Sequence, residues 1–293
     1  MKRIVPTLFF FILIGAVVMA QSRRRGWGGY GEGGYSGNGA RTAREIPSHS
    51  TGTRVWTNPN GFTRDAFTFA RIQYSNGYGG GYFGRGGGAG WSTDLPDSDL
   101  NLSYRLQQMT SMKVDPDGRI LQLTDPELVN YPWIYMVEPG GLTFSNEEAV
   151  ALRKYLLNGG FLMFDDFWGE AAWANVAEEM KKVFPDRSFS ELALDHPLYS
   201  CVFQIKAKGQ VPNVRLGEDS QHHGMTWERE DARAVHHRVL YDDKGRMMVF
   251  AAHNTDNGDG WEREGEYEYY FKNFSEKIAY PLGINVIFYA MTH

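Results

Sequence analysis

The sequence predicts a three-layer α/β domain: a mostly parallel sheet with helices on both faces and a C-terminal β-hairpin addition. Two observations carry this. Short apolar strand-like runs alternate with capped, amphipathic helical segments, the pattern of a parallel sheet with right-handed crossovers. Near the C-terminus, Asp242-Asp243-Lys244-Gly245 separates two strand-like runs and reads as a hairpin turn.

Taken in order, Phe67 to Tyr74 alternates and is rich in β-formers, so it is the first strand. A loop with Gly79-Gly80-Gly81 and Gly86-Gly87-Gly88 follows. A phosphate cradle needs a Gly-x-Gly-x-x-Gly or Lys-Ser/Thr ending that opens into a helix, whereas this loop runs into Trp91-Ser92-Thr93-Asp94. Nucleotide binding is therefore not expected. Ser98 or Asp99 caps a helix running to about Ser111, with Leu102, Leu106 and Met109 on one face. A buried strand from Pro132 to Val137 ends at Glu138-Pro139-Gly140. Ser145 and Glu148 form a capping box, and the helix behind them stops at Gly159-Gly160. Phe161 to Phe164 is a short apolar strand that delivers Asp165-Asp166 to its C-terminal end. Glu170 to Phe184 is helical. The hairpin pairs His237 to Tyr241 with Met247 to Ala252, and Ser275 to Met291 is a closing helix with an entry or kink at Pro281.

The N-terminus has the pattern of an export signal. Lys2 and Arg3 precede an apolar run from Ile4 to Met19, and Val18-Met19-Ala20 is a small-x-small cleavage site. Arg23, Arg24 and Arg25 oppose translocation, so an uncleaved segment with weak membrane association is the alternative. The expected organisation is a signal peptide over 1–20, a Gly/Tyr/Arg-rich flexible tether over 21–62 and a single α/β domain over 63–293. With 42% hydrophobic residues the chain can bury a full core. Its net charge of -5 gives no drive toward nucleic acid. Cys201, the single cysteine, cannot form an intramolecular disulfide and reads as a structural thiol.

Several separated motifs carry a resemblance. They are Phe67-Thr68-Phe69-Ala70-Arg71, the Trp91 to Leu102 segment, Leu123-Thr124-Asp125-Pro126-Glu127-Leu128, Gly159 to Asp166, Asp195-His196-Pro197, and His253-Asn254-Thr255-Asp256 with Gly258-Asp259-Gly260-Trp261. Together they resemble the bacterial family called domain of unknown function 4159, from about Phe67 to the C-terminus. The resemblance implies a flavodoxin/amidotransferase-like sheet, an exported or membrane-associated location and no assigned reaction. It also implies assembly work, since such proteins resemble components found beside regulatory ATPases and von Willebrand-type adhesion domains. Amidotransferases of that fold place a Cys on the turn after a sheet strand. Here the corresponding turn is Phe164-Asp165-Asp166-Phe167-Trp168-Gly169, with neither Cys nor Ser, so the inherited chemistry is expected to be absent.

Parallel sheets bind ligands at the carboxyl ends of their strands. The candidate ligand-binding residues there are Asp94, Asp99, Glu138, Asp166, Trp168, His253, Asn254 and Asp256. Asp165, Asp166 and His253 are the candidate catalytic groups, and Asp165, Asp166 and Asp259 the candidate metal ligands. Carboxylate and amide oxygens suit calcium or magnesium. Trp91, Trp168 and Trp261 are candidates for stacking on a sugar ring. The competing reading makes Asp94 to Asp99 helix caps, Asp165 an acceptor of backbone amides and Asp256 to Gly260 a turn. Residues 255–266 nearly match a calcium loop, but Thr255 replaces the first Asp and no helix precedes it, so an EF-type site is not expected. The pairs His222-His223 and His236-His237 are expected at the surface or in loops. His196 reads as a turn residue, and His253 as a base, a ligand or a satisfied structural histidine.

The sequence leaves two functional classes. One is a non-enzymatic exported binding or assembly module, periplasmic or secreted, with an envelope protein as possible partner. The other is a metal-assisted hydrolase acting on a cell-envelope substrate. The second needs Asp165, Asp166 and His253 in one compact cluster, with the carboxylates within about 5 Å of one another, and carboxylates tied up in backbone caps favour the first.

Overall fold

A computed structural model describes residues 39–59, 65–75 and 90–293. The predicted signal peptide, the first part of the predicted tether and the Gly-rich loop lie outside the described residues. Among the described residues, no helix is long and apolar enough to cross a membrane.

The sheet has seven strands: β1 (Ala70–Ile72), β2 (Arg119–Leu121), β3 (Trp133–Val137), β4 (Phe161–Phe167), β5 (Ser190–Glu191), β6 (His236–Tyr241) and β7 (Met247–His253), in the spatial order β2-β1-β3-β4-β7-β6-β5. The first five in that order run parallel. The β6–β7 pair is the antiparallel hairpin the sequence predicts, and β5 adds to it antiparallel. Strand order reverses between β1 and β3, and a crevice outside the carboxyl ends of the strands at such a point is where α/β sheets place ligands.

Side chains alternate across the central strands, so both sheet faces are apolar. Trp133, Tyr135, Phe161, Met163, Phe250 and Ala252 pack with Leu102 and Leu106 of α1 (Asp97–Met109) and with Leu282 and Val286 near the C-terminus. Ile134, Met136, Leu162, Phe164, Val249 and Ala251 pack on the other face. They meet Leu152 and Leu156 of α2 (Asn146–Leu157) and Val176 and Met180 of α3 (Gly169–Val183). That double burial is why these strands read as continuous apolar runs. The capping box forms as expected: Ser145 Oγ accepts from Glu148 N at 3.1 Å and Glu148 Oε2 from Ser145 N at 2.8 Å.

Some elements differ from the expectation. No side chain caps α1; it starts at Asp97, so Ser98 and Asp99 lie within its first turn. Part of the predicted tether is bound to the domain. Arg41 O accepts from Ile120 N at 2.9 Å and Arg44 N donates to Asp117 O at 3.1 Å, while Ala43 and Ile46 are buried. Further on, His49 N donates to Asp97 Oδ2 and Trp56 Nε1 to Val114 O. The segment thus covers the edge of β2, whose backbone groups would otherwise be open to pairing with another chain. Short apolar residues set among Gly and Arg hid this role from composition.

The C-terminal half adds α4 (Val214–His223), α5 (Asn257–Glu262) and α6 (Glu268–Tyr270). The last leads through a π-helical stretch (Phe271–Ala279) into α7 (Tyr280–Thr292). Pro281 stands where the π-helical stretch passes into α7, inside a continuous run of helical backbone, and its missing N–H interrupts the hydrogen-bond ladder at that junction. His222 and His223 are exposed at the end of α4, as expected. His237 is not a surface residue: it is buried in β6, its Nδ1 2.7 Å from Tyr199 Oη. The strand pleat that separates it from half-buried His236 turns it into the core.

Candidate functional site at the strand ends

Three carboxylates from two distant parts of the chain converge at this end of the sheet. One oxygen from each of Asp94, Asp256 and Asp259 lies within 4.8 Å of the other two. Asp94 comes from the turn before α1, where Ser98 N donates to its carbonyl at 3.0 Å. Asp256 caps α5, its Oδ1 accepting from Asp259 N at 2.7 Å. Asp259 sits in the first turn of that helix, and its Oδ2 accepts from Val214 N at 2.7 Å. Two oxygens around one calcium ion can lie up to about 5 Å apart, while the shorter bonds of magnesium need them within about 4.2 Å, a small inward movement of the side chains. Asn257, fully buried between Asp256 and Asp259 in sequence, has an amide oxygen with no hydrogen-bond partner among the described residues.

Gly258 makes the approach possible, because a Cβ there would run into Asp94 Oδ2. The obstacle is the tip of a side chain, and the Gly258 backbone is not left-handed. Gly258→Ala is therefore expected to leave the melting temperature nearly unchanged while displacing the Asp94 carboxylate. Calorimetric titration with calcium or magnesium would then show weaker binding than in the parent protein.

Asp165 fixes α5 to the sheet. Its Oδ2 accepts from Tyr135 Oη at 2.9 Å and Gly258 N at 3.1 Å, and its Oδ1 from Asn257 Nδ2 at 2.7 Å. Burial pushes this carboxyl up to about 6 against the opposing pull of those bonds. Asp166 stands on an irregularity in β4. Between Phe164 and Phe167 three steps of β4 match two of β7, a bulge that redirects the chain. Its Oδ1 accepts from Trp168 Nε1 at 2.8 Å. Burial, then the charges of Glu138, Glu228 and Asp94, raise the Asp166 carboxyl well above the usual range. Asp256 is raised well above it too, by burial and by Asp166, Asp259 and Asp94. Glu262 is raised by burial and by Asp94 and Asp259, with Arg263 opposing from 2.8 Å. Arg263 faces these carboxylates, 3.7 Å from Asp259 and 2.8 Å from Glu262, yet Asp256 and Glu262 stay raised.

The backbone is unusual at the same place. Among the described residues, the non-glycine residues in the left-handed region are Asp94 (φ 62), Glu138 (φ 49), Asp166 (φ 52) and Asn254 (φ 63). Asp and Asn tolerate this region better than other residues, while Glu138 holds it at a cost of roughly 1–2 kcal/mol. Strain of this kind concentrates at binding and catalytic sites. Tyr74 Oη donates to the carbonyls of Val137 and Glu138, which helps hold the end of β3.

Other predicted site residues have structural partners. Asp99 is not on the rim; it is buried against Arg71, whose Nη2 lies 2.5 Å from Asp99 Oδ1. His253 Nδ1 accepts from Arg238 Nη1 at 2.7 Å, and its Nε2 donates to Gly169 O at 3.0 Å. Burial, with help from Arg238 and His236, lowers it to about 4, so it is neutral near pH 7 and both nitrogens are engaged. Asn254 caps α3 by accepting from Gly169 N at 2.8 Å, and its Nδ2 donates to Ala234 O. Trp261 is fully buried and offers no face to a sugar; Trp168 is buried, and Trp91 is half-buried. Residues 257–262 are helical rather than an extended calcium loop, which keeps the EF-type pattern from forming. In the sequence Tyr135, Glu228 and Glu262 carry no mark of a site residue, and Asn257 and Gly258 carry one only as part of the near match to a calcium loop. Only the polar run 256–260 held a local hint, and it also fits a simple turn.

No curated protein matches the chain. Residues 68–291 match the family described as Domain of unknown function (DUF4159), and with most of its length covered the chain belongs to that family.

Proposed function

We propose that the protein is an exported, non-enzymatic binding module that holds a divalent cation, calcium or magnesium, at its acidic rim, and through it an envelope ligand or partner. The observation that carries this reading is the convergence of Asp94, Asp256 and Asp259 within 4.8 Å. Arg263 lies 3.7 Å from Asp259, yet Asp256 stays raised by its acidic neighbours, so bringing these like charges together in a mostly buried setting is unfavourable unless a further proton or cation offsets them. The donor set is all oxygen, which suits a hard cation. The orphaned amide oxygen of Asn257 adds a further acceptor in the same turn. Export is supported by the charged and apolar N-terminal pattern.

Binding is favoured over metal-assisted hydrolysis because the candidate bases are engaged. Asp165 accepts three hydrogen bonds and His253 uses both ring nitrogens to hold Arg238 and the start of α3. A hydrolase needs one such group free to take a proton from water.

Thermal unfolding of the purified protein in chelator, then with calcium, magnesium or manganese, tests the reading. A cation at about 100 times its Kd would stabilise the fold by roughly 2.7 kcal/mol. In a domain of this size that is an upward shift of about 5–10 °C. The shift is expected to vanish in Asp94→Asn/Asp259→Asn. No shift with any of these ions would overturn the proposal.

A further inference from the structure

We infer that Arg71, in the middle of β1, is the positioning residue of the cation site, acting through the turn that carries Asp94; the inference rests on the cation reading above. Its side chain is fully buried, and its donors are directed at both sides of that turn. Nη1 donates to Trp91 O at 2.9 Å and Thr93 O at 2.8 Å, gripping the backbone just before Asp94. Nη2 donates to Ser98 Oγ at 2.9 Å and to Asp99 Oδ1, and Nε donates to Asp99, gripping the first turn of α1 just after it. Asp94, held at φ 62, is bracketed by these contacts. The guanidinium also lies 5.1 Å from the centre of the Tyr135 ring, and Tyr135 in turn donates to Asp165, which anchors α5 and its two carboxylates. One buried cation thus ties together the turn that supplies Asp94 and the sheet positions beneath Asp256 and Asp259.

A buried ion pair is weak grounds for a stabilising role, since apolar residues of similar volume can serve as well or better. What apolar residues cannot do is hold two carbonyls, a hydroxyl and a carboxylate in one plane; a lysine, with donors radiating from one point, cannot do so either. Partners behind metal ligands typically carry a large share of the affinity in this way.

The test pairs two variants with a control. Arg71→Met/Asp99→Leu replaces the ion pair by apolar volume, and Arg71→Lys keeps the charge while losing the fork. Affinity for calcium and manganese is measured by calorimetric titration beside the melting temperature. Both variants are expected to bind cation roughly 10- to 100-fold more weakly than the parent. Leu156→Ala, which opens a cavity on the opposite sheet face, is expected to lower the melting temperature and keep the parental affinity. Parental affinity in either folded Arg71 variant overturns the inference and leaves the cation reading intact. Absence of cation binding in the parent overturns that reading itself. Failure of both Arg71 variants to fold would make Arg71 a folding residue and overturn its positioning role.

Discussion

Asp256→Asn is expected to raise the melting temperature of the cation-free protein and to remove most of its response to added cation. Asn is as good an N-cap as Asp, so the bond from Asp259 N to the side chain is retained. What the substitution removes is a charge that burial, Asp166, Asp259 and Asp94 all disfavour. Removing that disfavoured charge is expected to stabilise the cation-free fold near pH 7. Calcium or magnesium should then give a much smaller shift, because one of three anionic ligands is gone. Stability gained with binding lost is the usual exchange at a site held against its own electrostatics. A lower melting temperature in chelator would instead show that the charge itself stabilises the fold.

The second large effect is on pH. A carboxyl raised by the fold contributes stability that is fully present below its unfolded value near 3.9 and is lost as pH rises through its folded value. Asp165, pushed up to about 6, alone makes this loss roughly 3 kcal/mol. Asp166, Asp256 and Glu262 act in the same direction. Two buried histidines act in the opposite one. His253, lowered to about 4, and His237, lowered to about 3, contribute stability present above the unfolded value near 6.5 and lost as pH falls through their folded values. The net pH profile of the cation-free protein therefore mixes opposing slopes between about pH 4 and 6.5. The shift caused by cation separates them, because the histidines contribute nearly equally with and without it. A cation replaces protons on the raised carboxyls, so its stabilising effect is expected to grow from pH 5 to pH 8. Below the folded value of a displaced proton, affinity should fall about tenfold per pH unit. Titration in buffers of different ionisation heat should show proton release at pH 6. A cation shift independent of pH over this range would place the ion away from Asp256.

Much of the scaffold was legible because local patterns encode it. The capping box at Ser145, the double-glycine stop before Phe161, the apolar strands and the hairpin at 242–245 are set by neighbours within a few residues. The same locality placed Asp165 and Asp166 near a strand end. It could not assign their roles, because the bulge at Asp166 depends on the register of β4 against β7, more than 80 residues away. Asp99 illustrates the limit. In the sequence it is one of three acidic residues before and within a helix, and only the burial of Arg71 behind it makes it a counter-ion while Asp94 turns to the rim. The lack of a nucleophile favoured a structural role for His253 over a base, and the contact of its Nδ1 with Arg238 on the antiparallel partner strand gives that role its partner.

The sequence by itself determined an α/β domain, most of its central elements and a set of carboxylates near strand ends, because side-chain periodicity and capping chemistry act over one or two turns. Only the tertiary structure decided the order β2-β1-β3-β4-β7-β6-β5 and the meeting of Asp94 with Asp256 and Asp259 across some 160 positions. Those outcomes depend on which distant surfaces bury one another, and an Asp carries no local mark that separates a cap, a counter-ion and a ligand.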